Sequence, residues 1–277
     1  MCNTRTVDKD KIDYAVGIST RGRTDILVKT IEAFKNQTLP PSLVLVIDNN
    51  DEYGTLNRFI KPLYSKNTKV MTIENHYALL NDACGSQTAL EFMNYLGYKI
   101  GVKWDDDLVP EKDCLKPLVE KIYNGGLAAG GMYPRVNIKG ITTIFKNKLL
   151  TEDGKPLHVQ FFSWDKKKQN RWLFASHLYS SFAYNIEKAN LIGGFCTEYS
   201  QLAYRHETDF TLRLNELNSD IGFKNLGVYT GSEAIHYMGT GGTRMIPFKK
   251  AKKMMRLDTI LFTKRMRNMD MELSYES

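Results

Sequence analysis

The sequence predicts an α/β protein built on a parallel sheet with helices on its faces. Three observations predict it. Strand-like and helix-like segments alternate through residues 14–107, polar and acidic residues recur wherever an apolar run stops, and one long helical period closes the chain.

The elements follow in order. Residues 14–20 are a short apolar run ending in Ser19-Thr20, the pattern of a buried strand. Residues 24–37 carry Leu27, Ile31 and Phe34 at helical spacing and stop before Pro40-Pro41. Residues 43–47 form a second β-branched run closed by Asp48-Asn49-Asn50-Asp51, and residues 69–73 form a third. A helix is expected between the second and third strands and another over 84–96, with Gly97 ending it. The fourth strand, residues 99–104, runs into Asp105-Asp106-Asp107, and a helix bent near Pro117 is expected from Pro110 to about Asn124.

In a parallel sheet, ligands bind beyond the C-terminal strand ends. Thr20 with Arg21 and Arg23, Asp48, and Asp105 to Asp107 all fall there, so they should converge on one crevice. Three adjacent carboxylates repel one another unless something offsets their charge. A hard divalent cation shared with phosphate oxygens does so; an acidic turn capping the next helix is the other reading.

Beyond residue 127 the pattern changes to short β-like pieces at 141–145, 157–162 and 177–184. Aromatics crowd residues 161–184, as core or as the wall of an acceptor pocket. Residues 207–217 read as an amphipathic helix, followed by short strands near Gly227 and over 233–236, then the loop 239–244. Residues 249–267 have helical period. Lys249, Lys252, Lys253, Arg256, Lys264 and Arg267 fall on one side, with Ala251, Met254, Met255, Leu261, Phe262 and Met266 opposite.

Composition narrows the classes. With 42% hydrophobic and 25% charged residues in 277, the chain has the makings of a folded core rather than a disordered segment. No apolar run reaches the length of a membrane span, and no apolar signal region follows Met1. The expected location is cytoplasmic, soluble or peripherally membrane-associated. The four cysteines form no Cys-x-x-Cys pair, which disfavours zinc and a disulfide framework. The formal charge of +7 belongs to the tail: residues 244–267 hold nine basic residues and one acid, Asp258. No Gly-x-Gly-x-x-Gly follows the first strand and the loop 239–244 lacks a Gly-Lys-Ser/Thr ending, so dinucleotide and Walker-type ATP sites are both disfavoured.

The ordered motifs resemble those of family 2 glycosyltransferases of the GT-A fold. Ile18-Ser19-Thr20-Arg21 resembles the loop after their first strand, and Phe34-Lys35-Asn36-Gln37-Thr38-Leu39-Pro40 the close of their first helix. Leu45-Val46-Ile47-Asp48-Asn49 resembles their second strand, and Asp105-Asp106-Asp107 the Asp-x-Asp signature. Gly193-Gly194-Phe195 and Glu207-Thr208-Asp209-Phe210-Thr211-Leu212-Arg213 resemble two later phrases. The resemblance covers roughly residues 14–240.

It implies a Rossmann-like mixed sheet flanked by helices over 1–243, with a nucleotide-binding half (14–107) and an acceptor or catalytic half (108–243); charge and helical period add a basic helical C-terminal extension (244–277). It also implies an inverting hexosyl- or pentosyltransferase using a nucleotide-diphosphate sugar and Mn²⁺ or Mg²⁺. In that scheme Glu207 is the catalytic base, and Asp107 with His236 binds the metal. Thr20, Arg21, Arg23, Asp48, Asp105 and Asp106 meet the donor, Asp106 alternatively capping a helix. The loop residues Gly241, Gly242 and Arg244 close on the diphosphate.

The family more often has Asp than Glu at the base position, and Tyr-Asn-Arg where this chain has Thr20-Arg21-Gly22-Arg23. Plainer readings stand beside each role: Asp48 as a strand-end turn residue, Glu207 as a helix-start anion, His236 as a structural histidine. The acceptor is a saccharide, a lipid-linked glycan, or a hydroxymethylated base in DNA. A non-catalytic nucleotide-sugar or nucleic-acid binding protein on the same fold is the alternative of another class. Lys249, Lys252, Lys253 and Arg256 are the candidate contacts for a polyanion, an anionic membrane surface or a nucleic acid; a solvated face is the third reading.

Overall fold

Consecutive residues of the first two strands bury opposite sides, so both strands are mostly apolar along their length. In β1 (Tyr14–Thr20) and β2 (Leu43–Asp48), Tyr14, Val16, Ile18, Val44 and Val46 pack into one core, while Ala15, Leu43, Leu45 and Ile47 pack into the other. A strand covered on both faces needs no polar alternation, which is why these runs read as continuous hydrophobic segments. In the computed structural model the described residues are 12–49, 63, 67–75, 77, 79–131, 135–136, 142–143, 149–150, 156–157, 172–175, 177–178, 180–217, 226–237 and 246–267.

Helix α1 (Thr24–Lys35) covers the first face with Leu27, Ile31 and Phe34. Helix α2 (Asp82–Tyr95) covers the second with Ala89, Leu90 and Met93. Strands β3 (Lys69–Glu74) and β4 (Ile100–Asp105) flank β2 and β1 in parallel register. The parallel set β4-β1-β2-β3 is therefore as expected. The helix anticipated between β2 and β3 lies outside the described residues.

Past Asp105 the chain departs from expectation. Asp106 and Asp107 form a tight turn into a strand, β5 (Leu108–Pro110), and the next helix, α3, spans only Leu115–Tyr123. Pro117 falls in the first turn of α3, where its missing N–H leaves no bond unmade, so the helix is not bent there for want of one. Strand β5 pairs antiparallel with β14 (Ala234–Tyr237), more than a hundred residues away, and that partner is what makes it a strand.

The remaining strands are β6 (Ala128–Gly131), β7 (Arg135–Val136), β8 (Thr142–Thr143), β9 (Leu149–Leu150), β10 (Pro156–Leu157), β11 (Trp172–Ala175), β12 (Phe182–Asn185) and β13 (Leu226–Tyr229). One ten-stranded mixed sheet runs β10-β9-β11-β13-β6-β12-β4-β1-β2-β3, and a small sheet runs β5-β14-β7-β8. The piece expected over 177–184 shortens to β12, which lies antiparallel to both β4 and β6. Strand β11 was not anticipated; its pairing with β13 is again a distant contact.

Three further helices are present among the described residues: α4 (Ile186–Leu191), α5 (His206–Glu216) and α6 (Phe248–Arg267). Helix α5 buries Phe210 and Leu214 in the second core. Helix α6 seats Phe262 and Met266 on Tyr199, Ala203 and Leu212. Among the described residues no helix is long and apolar enough to cross a membrane.

Candidate functional site at the C-terminal strand ends

The ends of β1, β2 and β4 lie side by side, with Thr20 opposite Asp48 and Ser19 opposite Asp105. Three adjacent carboxylates therefore emerge beside the start of α1, and they divide into two environments.

Asp106 and Asp107 turn toward Arg23. Thr20 Oγ1 donates to Asp106 Oδ2 at 2.7 Å, and Arg23 Nη1 lies 2.9 Å from Asp106 Oδ1 while also bonding Asp107. His236 Nε2 stands 3.2 Å from Asp107 Oδ2. The β5–β14 pairing brings this histidine in, since His236 faces Leu108 across the small sheet and Tyr237 N donates to Asp107 O at 2.8 Å. Burial raises the Asp106 carboxyl to about 7; Arg23 opposes that rise and Asp107 adds to it. Asp106 caps no helix, because its side chain is committed to Thr20 and Arg23 inside the turn.

Asp105 faces the other way. Its carboxylate accepts from Ser180 Oγ and from Lys103 Nζ, and Lys103 also lies 2.8 Å from Glu207 Oε1 and 2.9 Å from Asp82 Oδ2. His206 Nδ1 is 2.6 Å from the Ala203 carbonyl, and its Nε2 is 3.1 Å from Asp82 Oδ2. One lysine, 3% exposed, thus contacts three carboxylates on three elements and offsets part of their charge.

Burial opposes the charge on Lys103, but Asp105, Asp82 and Glu207 outweigh it and hold the ammonium well above its ordinary range. Burial would likewise raise Asp82, yet Lys103 and His206 hold its carboxyl well below the usual range. His206 is raised, because Glu207 and Asp82 outweigh the cost of burying its charge. Asp82, His206 and Glu207 present atoms within 4.8 Å of one another, the spacing of a cation site. Lys103 and His206 supply positive charge there, so the cluster reads as an ion-pair network.

The sequence-predicted residues are therefore grouped as follows. Thr20, Arg23, Asp106, Asp107 and His236 form one connected cluster, and Asp105 joins Glu207 through Lys103. Asp48 is buried at the end of β2, 1% exposed, and Arg21 is half-buried in the bend after β1. Gly241, Gly242 and Arg244 lie outside the described residues. Lys249, Lys252, Lys253 and Arg256 line the exposed side of α6.

Sequence reasoning missed Lys103, Asp82 and an asparagine relay. Asn75 Nδ2 donates to Asn49 Oδ1 at 2.6 Å, and Asn49 Nδ2 to Asn81 O at 3.2 Å. Asn81 in turn caps α2 through Cys84 N and donates to the carbonyls of Tyr199 and Ser200. Lys103 did leave a signal: a charge inside an apolar strand, two residues before Asp105 and so on the same face.

The later motif Gly193-Gly194-Phe195 braces α5, the helix that carries Glu207. Gly194 has φ +70°, a conformation suited to glycine, and its carbonyl accepts from Arg213 Nη2 at 2.7 Å. Phe195 stacks on Phe210 at 3.9 Å, and Arg213 is fixed by Asp209 at 2.8 Å.

No protein-family model and no curated protein sequence matches the chain. Solved structures do. GalNAc-T7 with UDP, GalNAc and Mn²⁺ superposes at TM-score 0.62 and 14% identity, over 90% of this chain and 48% of that one. S. aureus TarS 1–349 gives 0.61 and 12%, over 94% and 67%. The mannosyltransferase PcManGT from Pyrobaculum calidifontis, with GDP-Man and Mn²⁺, gives 0.57 and 12%, over 83% and 58%. The chain thus spans about half the length of GalNAc-T7 and roughly three-fifths to two-thirds of the other two. At these identities the likeness is one of fold, and the fold is that of the GT-A glycosyltransferases.

Proposed function

We propose that this protein is a metal-dependent glycosyltransferase that moves a sugar from a nucleotide-diphosphate donor to a hydroxyl acceptor, with inversion. The observation that carries the reading is the division of the Asp105–Asp107 turn. Asp107 faces an imidazole and a guanidinium, while Asp105 is linked through Lys103 to a carboxylate, Glu207, at a helix start. The structures of GalNAc-T7 and PcManGT with Mn²⁺ and UDP or GDP-Man support it.

The donor set fits the cation. Asp107 and His236 would supply one carboxylate oxygen and one imidazole nitrogen to Mn²⁺ or Mg²⁺ completed by phosphate oxygens, and Arg23, which bonds that same Asp107 oxygen, would turn to the diphosphate. When bound, the ion offsets charge on the leaving diphosphate. Arg23, with Arg21 beside it, adds positive charge on the same side. Asp48 accepts a hydrogen bond from the nucleotide base. Glu207 takes the acceptor hydroxyl proton as the new C–O bond forms at the anomeric carbon and the bond to the diphosphate breaks. Lys103 holds Glu207 in place until that step.

The test is donor binding and turnover across nucleotide sugars, with and without Mn²⁺. Asp107→Ala should lose metal-dependent donor binding. Glu207→Gln should bind donor but fail to transfer. Wild type that binds no nucleotide sugar under any condition sinks the proposal.

A further inference from the structure

Helix α6 is pinned in one rotational setting. Asp258, 1% exposed and the only acid of the helix, accepts from Ser200 N at 2.7 Å, Ser200 Oγ at 2.8 Å and Tyr204 N at 2.8 Å. One turn on, Phe262 and Met266 are buried, and Arg265 Nε reaches Asp209 at 3.0 Å. With the inner side so fixed, the composition of the outer side is settled. Lys249, Lys250, Lys252, Lys253, Arg256 and Lys264 are all exposed, and no acid stands among them.

Two features of that outer side are costly in water. Lys249, Lys252, Lys253 and Arg256 are spaced three and four apart, so like charges face one another along the helix. Within the same arc Leu257 is 52% and Ile260 57% exposed, and Phe248 at the start of the helix is 83% exposed. By helical spacing Ile260 lies one turn from both Arg256 and Lys264, and Leu257 one turn from Lys253. The aliphatic pair is therefore embedded in the basic field. A polyanion offsets the charge repulsion, but phosphates alone give nothing to Leu257 and Ile260. An anionic bilayer surface satisfies both, taking the ammonium groups at headgroup level and the aliphatic side chains at the acyl boundary.

We propose that the outer face of α6 docks this protein on a membrane surface rich in anionic lipid, with Leu257 and Ile260 inserted and Lys249, Lys252, Lys253 and Arg256 on the headgroups. The proposal does not rest on the transferase reading. It does have a consequence for it: α6 packs on α5, whose first turn carries Glu207, so docking would hold the site close to the lipid surface.

Co-sedimentation of the full chain with vesicles of phosphatidylcholine, with and without phosphatidylglycerol, tests it at low and physiological salt. Wild type should sediment with the phosphatidylglycerol vesicles only. Leu257→Ser/Ile260→Ser should lower partitioning about tenfold at either salt, and Lys252→Gln/Lys253→Gln/Arg256→Gln should abolish it. All five positions are exposed, and unchanged circular dichroism would confirm that each variant folds. Absence of sedimentation at low salt overturns the proposal. So does wild-type-like partitioning of the Leu257/Ile260 variant. Salt-sensitive binding to a duplex DNA fragment, stronger than to vesicles and indifferent to the aliphatic pair, would instead make this a nucleic-acid face.

Discussion

Lys103 is the residue on which the site's electrostatics turn. Asp82, Asp105 and Glu207 converge on its ammonium from three elements, and removing the charge leaves them facing one another in a buried place. Lys103→Met should destabilise the fold by about 3–5 kcal/mol in chemical denaturation, and adding Glu207→Gln should recover part of that loss. His206 sets the pH response. Its pKa is raised in the folded state, so its contribution is complete below the unfolded value of about 6.5 and is lost as pH rises through the folded value. Asp82 acts in the opposite sense: its pKa is lowered, so its contribution is present above about 3.9 and fades as pH falls further. These two groups alone place greatest stability between these limits, and Asp106, raised to about 7 by burial, shifts it toward the acid end because its carboxyl must ionise in the folded state as pH rises. His206→Gln should flatten the alkaline decline in melting temperature measured against pH, and an unchanged slope would show that another group governs it.

At the scale of the element, two contacts decide where helices sit. Helix α2 approaches β1 so closely at Gly85 that an added Cβ would lie 2.4 Å from Ser19 Oγ and 2.8 Å from its Cβ. Gly85→Ala should cost about 1–3 kcal/mol, with Ser19→Gly in the same chain restoring part of it. Helix α6 hangs on Asp258, whose carboxylate satisfies three donors of the loop before α5. Asp258→Ala should cost about 1–3 kcal/mol for the stranded donors. Hydrogen exchange should quicken in residues 248–267 while the β1–β4 core stays protected.

For the molecule as a whole, the proposed site couples ligand binding to stability through groups on β1, β4, β14 and α5. A nucleoside diphosphate that binds only the folded state adds about 2.7 kcal/mol at a hundredfold excess over Kd. UDP or GDP should therefore raise the melting temperature by several degrees when Mn²⁺ is present and little without it. Asp107→Ala should erase the Mn²⁺-dependent part. A shift that is the same with chelator, or that survives in Asp107→Ala, would remove Asp107 from the metal site.

The sequence by itself determined the strands β1 to β4 and the helices α1 and α2 of the parallel half, and which residues close those strands. Short β-branched runs bounded by turn residues fit strands buried between helix layers, and the polar residues that close them fall where the strands stop. Thr20, Asp48 and the triple Asp were legible for that reason, as was Glu207 at the head of an amphipathic helix. Tertiary structure alone decided what those residues face. That β5 is a strand depends on β14, and that pairing brings His236 to Asp107. The separation of Asp105 from Asp106 and Asp107 depends on Arg23, distant in sequence from both, and on Lys103, which sits two residues before Asp105 but is held there by Asp82 and Glu207 from other elements. The exposure of Leu257 and Ile260 is fixed by the anchoring of Asp258 to Ser200 and Tyr204, a contact that periodicity cannot supply. Local patterning reports burial and period, whereas partners come from chain segments that only the folded topology brings together.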